Sequence, residues 1–417
     1  MNKHVQFLLL LFAFLTFKTQ AQTEKPKLFI NCQQARCFQT YLLTELDYFT
    51  FTRDQGLADV QILITDQGNA GGGRNYQINF IGQKEREGDD FLIEFETSQN
   101  DTEAIARKIV LSKVSQGLLH YVGGTEMVKD VKVSFPKLAE TDNKSTEEEE
   151  KDPWNNWIFG IGGSGRFSGE SNRSEVRLNT NVRGGRTTDK SKYSFYTYLN
   201  QNTNEVTLDG EKEVAKVNSY GFSTLYVTSF AKNWSLGGLM RGFHSVYSNI
   251  QFSNSLAPAI EYSIFPIEDF NKKQFRWIYQ AGYRRLDYIE PTIYDLVQEG
   301  KPYHQLTSIL GYTQPWGNFS AELNGYQYID DPDKYRLSLE LELSWRVFQG
   351  VSLRFYGSGS QIKDQISLAK TESSSEEILL GGQQLPTSFA YFTSFGLNYT
   401  FGSVNNSIVN PRFSGLN

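Results

Sequence analysis

Residues Tyr335 to Val347 read Y-R-L-S-L-E-L-E-L-S-W-R-V, and the odd positions Tyr335, Leu337, Leu339, Leu341, Leu343, Trp345 and Val347 are all apolar. The even positions are Arg336, Ser338, Glu340, Glu342, Ser344 and Arg346. Successive side chains of a strand point to opposite faces, so a period of two kept this strictly reads as a β-strand. From Trp154 onward the pattern recurs in twelve runs, at about 156–168, 174–186, 192–204, 215–230, 234–248, 252–265, 274–287, 303–314, 317–329, 334–348, 351–362 and 387–402. Such strands need an apolar medium on one face and a polar one on the other. A soluble sandwich and a membrane-spanning barrel both provide this, and alternation alone does not choose between them.

The connections choose. Every second one is short: T-D-K-S near 188–191, A-K-N at 231–233, P-W-G at 315–317 and Q-G at 349–350, with 266–273 somewhat longer. The intervening set includes the two longest, around 288–302 and 363–386, although its first and fifth members are brief. Tight turns on one side and long loops on the other, with an even strand count, is the layout of a transmembrane barrel whose termini share the turn side. The fold class expected is therefore an all-β transmembrane barrel of about 12 antiparallel strands preceded by a small α+β domain. The outward rows, such as Phe275, Trp277, Tyr279, Ala281 and Tyr283 or Phe389, Tyr391, Phe395, Leu397, Tyr399 and Phe401, are expected to meet lipid. The fourth and sixth runs do not resolve into two clean faces.

Compartment follows from residues 1–21: Lys3 and His4, an apolar run from Val5 to Phe17, and the small-residue exit at Ala21 predict a secretory signal peptide too short to span a bilayer. No later stretch reaches the length of a membrane helix. An aromatic share of 14% with 35 Gly fits many strands with aromatic girdles, and a net charge of −6 offers no basic footprint for nucleic acid.

Residues 22–135 form the expected first domain. Phe38, Leu42, Leu46 and Phe49 fall at helical spacing, followed by the alternating runs Val60/Ile62/Ile64, Tyr76/Ile78/Phe80 and Phe91/Ile93/Phe95. A second helix is expected to open at Asn100 with Glu103 three residues on, burying Ala106, Ile109, Val110, Val114 and Leu118, and a strand at Val131/Val133/Phe135 closes the order. Cys32 and Cys37 are the only cysteines, and in an exported chain a disulfide between them is the expectation, with a metal pair or two free thiols as the alternatives. The Gly71-Gly72-Gly73 run lacks the Lys-Ser/Thr of a phosphate loop and joins two strands, so it reads as a hairpin. Residues 136–153, with Glu147 to Glu150, read as a solvated acidic linker, and 154–417 as the barrel.

L-N-Y-T-F-G-S-V-N-N-S-I-V-N-P-R-F at 397–413 and F-R-W-I-Y-Q-A-G-Y-R-R-L-D-Y at 275–288 resemble the closing half of a group of uncharacterised outer-membrane barrel proteins of Gram-negative bacteria. R-D-Q-G-L-A-D-V-Q-I-L-I-T-D at 53–66 looks like the start of the periplasmic domain that accompanies some of them. The whole is distantly similar to the salt-induced outer-membrane protein family. The resemblance implies a place, the outer membrane with the first domain in the periplasm, and contact with outer-membrane lipid and the barrel-assembly machinery. It brings no catalytic residue. Continuation past Phe413 with S-G-L-N departs from barrels that stop on an aromatic.

Chemistry is sparse. His244 shares parity with Trp234, Leu236, Met240 and Val246, and His304 with Leu306, Leu310 and Tyr312, but neither has a G-x-S-x-G near it. His120 reads as a helix C-terminal imidazole. Asp330, Asp331 and Asp333 lack the spacing of a calcium loop. No enzyme, metal or cofactor is expected. The inward face carries the candidate site: Arg166, Arg177, Arg183, Arg241, Arg276, Arg284, Arg336, Arg346 and Arg354 against Glu322, Glu340 and Glu342. Two readings stand. In one, the lumen is a water-filled pore with an anion-favouring wall. In the other it is closed by Arg-Glu pairs, and the barrel anchors a domain that binds a periplasmic protein or peptidoglycan. A lipid hydrolase using His244 or His304 is the third and weakest.

Overall fold

The computed structural model describes residues 26–32, 35–69, 72–123, 128, 152–208, 210–270, 272–348, 350–371 and 381–402. The expected signal peptide, the strand at Val131–Phe135 and nearly all of the acidic linker lie outside these residues.

The N-terminal part is a five-stranded sheet in the order β2-β1-β3-β4-β5, made of β1 (Lys27–Cys32), β2 (Thr50–Phe51), β3 (Val60–Gly68), β4 (Arg74–Gly82) and β5 (Phe91–Thr97). β1 runs parallel to β2 and β3, whereas β3, β4 and β5 are antiparallel. The three alternating runs are β3, β4 and β5. β1 was not expected, and its burial explains why: Leu28 to Asn31 are all buried, so a central strand covered on both faces shows no alternation. Helix α1 (Gln39–Glu45) buries Leu42, and helix α2 (Glu103–Val122) buries Val110, Val114, Leu118 and Tyr121 in one core with Ile62, Ile64, Ile78 and Phe80. Helix α2 starts later than expected. Its N-cap is Thr102 rather than Asn100, the Thr102 hydroxyl accepting the Ile105 N–H at 3.3 Å. Cys32 and Cys37 are joined in a disulfide at the mouth of α1.

The second part is a single twelve-stranded antiparallel sheet in which each strand pairs with its sequence neighbours. Its strands are β6 (Trp157–Gly169), β7 (Arg173–Thr187), β8 (Ser191–Leu208), β9 (Glu211–Ala231), β10 (Trp234–Ser245), β11 (Ile250–Ser263), β12 (Lys273–Tyr288), β13 (Gln298–Gln314), β14 (Gly317–Tyr328), β15 (Tyr335–Phe348), β16 (Val351–Ile362) and β17 (Phe389–Tyr399). All twelve alternating runs coincide with these strands. One tight turn demands glycine: at Gly317, which opens β14 with φ +147°, a Cβ would lie 1.9 Å from the Ser344 carbonyl oxygen.

The two unclear runs have identifiable causes. β9 spans 21 residues and begins in the polar stretch Glu211–Lys216, where charged residues fall on both faces and blur the alternation. β11 contains Pro258, which has no N–H to give the ladder, and its pairing with β12 shifts between Ile250 and Phe252.

The sheet is not closed. β6 and β17 are its two edges and do not pair, and every residue of β17 is exposed. The expectation of a closed barrel is thus met only as a curved meander with a seam. Unpaired edge groups can be solvated in water, whereas in hydrocarbon each would cost several kcal/mol. No helix among the described residues is long and apolar enough to cross a membrane.

Candidate functional site

The strand register sets the predicted charges on one face of the sheet, with partners that the strand pattern did not show. Arg276 lies 3.8 Å from Glu261 on β11, its guanidinium 5.2 Å from the Phe270 ring. Arg336 makes two contacts with Asp364, at 2.9 and 3.0 Å. Arg177 pairs with Glu175, two residues away on the same face. Adding Glu175, Glu261 and Asp364 to the three predicted carboxylates sets six against the nine predicted arginines. Glu175 was findable from its parity with Arg177. Glu261 was hidden by the disorder of pattern in β11, and Asp364 lies in a loop, where periodicity is silent.

Arg-Glu pairs do not form directly across the strands at Glu322. Glu322 stands directly opposite Glu340, and Arg354 stands opposite Ser344. Glu340 accepts the Tyr356 hydroxyl at 2.7 Å instead. A phenol next to carboxylates that face each other relieves part of their repulsion by donating a charge-assisted hydrogen bond.

At the loop end, an apolar and aromatic cluster fills the interior. Tyr288, Tyr303, Tyr326 and Tyr328 are buried with Leu286, Ala257 and Ile366, the last contributed by the long connection after β16. The Arg284 guanidinium lies 5.2 Å from the Tyr303 ring and 5.3 Å from the Tyr326 ring, so it faces rings rather than a carboxylate, and its buried Nε has no hydrogen-bond partner among the described residues. Asn249 ties three connections together. Its Nδ2 donates to the carbonyls of Glu290 and Ser367 at 3.0 Å each, and its Oδ1 accepts the Glu290 N–H at 2.9 Å. It does so at φ +57°, a conformation asparagine tolerates better than most residues. Ile293 N–H to Leu368 O and Lys370 N–H to Pro291 O, both 2.9 Å, continue the seam. No motif marked Asn249 or Ile366 in the sequence.

At the turn end the first domain reaches the sheet. Arg346 does not pair with a carboxylate there. Its guanidinium stacks 4.6 Å from the Phe29 ring of β1, and Nη1 donates to Gln55 Oε1 at 3.2 Å and to the Pro315 carbonyl at 3.4 Å. Asn31 Nδ2 donates to the same Pro315 carbonyl at 3.5 Å. Between the two parts lies a cavity of about 780 Å³ lined by Asn31, Trp316, Asn318, Glu342, Arg346, Ser352 and Arg354 among others. Across the mouth, a second hollow joins Asn69, Gly72 and Gln99 to Arg183, Lys192 and Tyr193.

The histidines are held by oxygens other than hydroxyls. His244 Nδ1 lies 2.9 Å from the Gln251 carbonyl with its ring 4.7 Å from Tyr220, at the point where β10 shifts register against β11. His304 Nε2 lies 3.0 Å from Gln327 Oε1. Neither arrangement presents a nucleophile to the imidazole. His120, at the end of α2, lies 2.7 Å from Asp89. Asp330 is engaged by Lys301 at 3.0 Å, and no group of three metal-ligating side chains occurs among the described residues.

In the first domain, burial and the nearby Asp66 carboxylate push the Tyr76 phenol up to about 12, and its hydroxyl donates to the Arg36 carbonyl at 3.1 Å. Asp59 titrates below the usual carboxylate range: burial opposes this, but the Lys27 backbone N–H at 2.9 Å and the Lys84 ammonium at 2.8 Å outweigh it.

No protein-family profile matches the chain, and no curated protein matches it. Solved structures similar to it include the NanC porin in a rhombohedral crystal form, at 11% identity and a TM-score of 0.28, over 59% of this chain and 99% of that one. A likeness this distant carries no weight for function.

Proposed function

We propose that this chain is an outer-membrane pore whose β6 and β17 edges pair in lipid, with the first domain in the periplasm over the turn-side mouth. Closure is supported by the two edges themselves. With twelve strands β6 and β17 run antiparallel, and each has an apolar outer row, Phe159/Ile161/Phe167 and Tyr391/Phe395/Leu397, over an inner one that is mostly small, Gly160/Gly162/Ser164 and Ser394/Gly396, apart from Arg166 and Phe392. The observation that carries the pore reading is the turn-side cavity of about 780 Å³, where Arg346 and Arg354 outnumber Glu342 and serines leave space unfilled. Its wall favours small anions. The outer-membrane lipid and the barrel-assembly machinery are the partners this reading requires. Protein purified from the outer membrane, first shown to migrate differently before and after boiling, is placed in a planar bilayer under a salt gradient. Stepwise conductance with a reversal potential favouring the anion supports the pore, and heat-modifiable protein that never conducts refutes it.

A second reading has its own support. The tyrosine cluster around Ile366 fills the loop end and the first domain stands over the turn end, which suits an anchor with a closed lumen presenting residues 27–122 to a periplasmic protein or to peptidoglycan. That reading predicts recovery of such a partner by the first domain and silence in the bilayer.

A further inference from the structure

We infer that the first domain is a removable cap on the turn-side mouth, latched by Arg346, so that its displacement gates the lumen; this rests on the pore reading above. Three observations carry it. The domain's core is its own: Leu28, Ile62, Ile78, Phe80, Val114 and Leu118 belong to a cluster drawn, among the described residues, from the first domain alone, so the domain can leave the mouth without unfolding. What holds it near β14 and β15 is small and polar. Arg346 reaches Phe29, Gln55 and the Pro315 carbonyl, and Asn31 adds one long hydrogen bond. The space behind these contacts is a cavity lined from both parts rather than a packed apolar interface, the character of contacts that open and close.

Arg346 is suited to a latch because it is bound to both parts at once. One guanidinium nitrogen holds the Pro315 carbonyl in the β13–β14 turn and the Gln55 amide in the domain, while its face covers Phe29. A planar, permanently charged group can make an in-plane hydrogen bond and a stacking contact together, which lysine cannot. Losing it removes the stacking on Phe29 and the hydrogen bonds to Gln55 and Pro315, while the Asn31 to Pro315 hydrogen bond stays. Arg346→Ala is therefore expected to raise the fraction of time open by roughly tenfold, the factor that corresponds to about 1.4 kcal/mol, and Arg346→Lys to restore only part of the closure.

The test uses the full chain in a planar bilayer. A Gln55→Cys, Pro315→Cys variant, cross-linked with a short bismaleimide, is compared with the same variant uncoupled and with Arg346→Ala. Current that falls to the closed level on cross-linking, together with a higher open fraction in Arg346→Ala, supports the latch. Conductance and open fraction indifferent to cross-linking overturn the latch and leave the pore reading standing. Silence in every variant, cross-linked or not, overturns the pore reading and the latch with it.

Discussion

Replacing Asn249 with glycine isolates what holds the loop-side mouth. The asparagine side chain is buried, makes three hydrogen bonds of 2.9–3.0 Å to Glu290 and Ser367, and sits at φ +57°. Glycine keeps that backbone conformation at no steric cost, so the substitution removes the bonds alone. Each contributes about 0.5–1.5 kcal/mol net. The sum for the three is about 2–4 kcal/mol, allowing for some rescue by water at the two freed carbonyls. The loss is local, because the strands below keep their ladders. It appears as opening of the connections rather than as melting of the sheet. Amide exchange of Ile293 and Lys370, whose N–H groups bond Leu368 and Pro291 across the seam, should therefore speed up by about 30- to 900-fold, with the melting temperature in detergent almost unmoved. Asn249→Ala should be worse, since it adds a left-handed alanine. Unchanged exchange in Asn249→Gly would refute the view that this side chain ties the three connections, and a large drop in melting temperature would refute its being local.

Three further outcomes follow from the same structure. In helix α2 a Cβ on Gly117 would lie 2.1 Å from the buried Phe80 ring, which is stacked on Phe91; Gly117→Val should cost about 1–3 kcal/mol in thermal unfolding of a soluble fragment of residues 22–136, and a wild-type melting curve would show that the helix does not approach the sheet there. Because the folded state raises Tyr76 to about 12 from 10, its contribution is complete below pH 10 and falls by up to about 1.4 kcal/mol per pH unit between 10 and 12; Tyr76→Phe should flatten the alkaline limb of the same fragment's denaturation, and an unchanged slope would exclude Tyr76 as its source. Cysteines introduced in 363–371 should be labelled by an impermeant maleimide on intact cells while one at Gly350 is not, and the opposite pattern would invert the orientation.

The strands were legible because an antiparallel sheet with one apolar and one polar face writes that difference at every second residue of each strand. Legibility failed where the cause was not periodic. β1 is covered on both faces and reads as a plain apolar run. Asp364 and Ile366 lie in a connection and Asn249 in a turn, so their roles depend on which loops fold inwards. The contacts at the two ends of the sheet join residues 118 and 291 positions apart, Asn249 to Ser367 and Arg346 to Gln55, and no local pattern encodes these.

The charged face of β15 shows what that difference means for function. From the sequence Arg336, Glu340, Glu342 and Arg346 form one uniform polar row. In the structure the ends of the row do different work. Arg336 holds Asp364 of the loop-side connection, and Arg346 holds Phe29 and Gln55 of the first domain. Ten residues of strand separate them, about 33 Å, and they share no partner. Sites so far apart in independent contacts are expected to add within about 0.5 kcal/mol. Arg336→Ala should loosen the 363–371 connection, read by its amide exchange, and leave the yield of the Gln55–Pro315 cross-link unchanged. Arg346→Ala should do the reverse, and the double variant should show both effects at their single-variant sizes. Arg336 is itself 41% exposed although Asp364 is only 14% so, and water at the guanidinium keeps the pair's share to about 0–1 kcal/mol and its effect on exchange to about fivefold. A double variant whose effects exceed the sum would mean that the two mouths communicate through the wall, and the picture of a rigid strand with separately fastened ends would have to be given up.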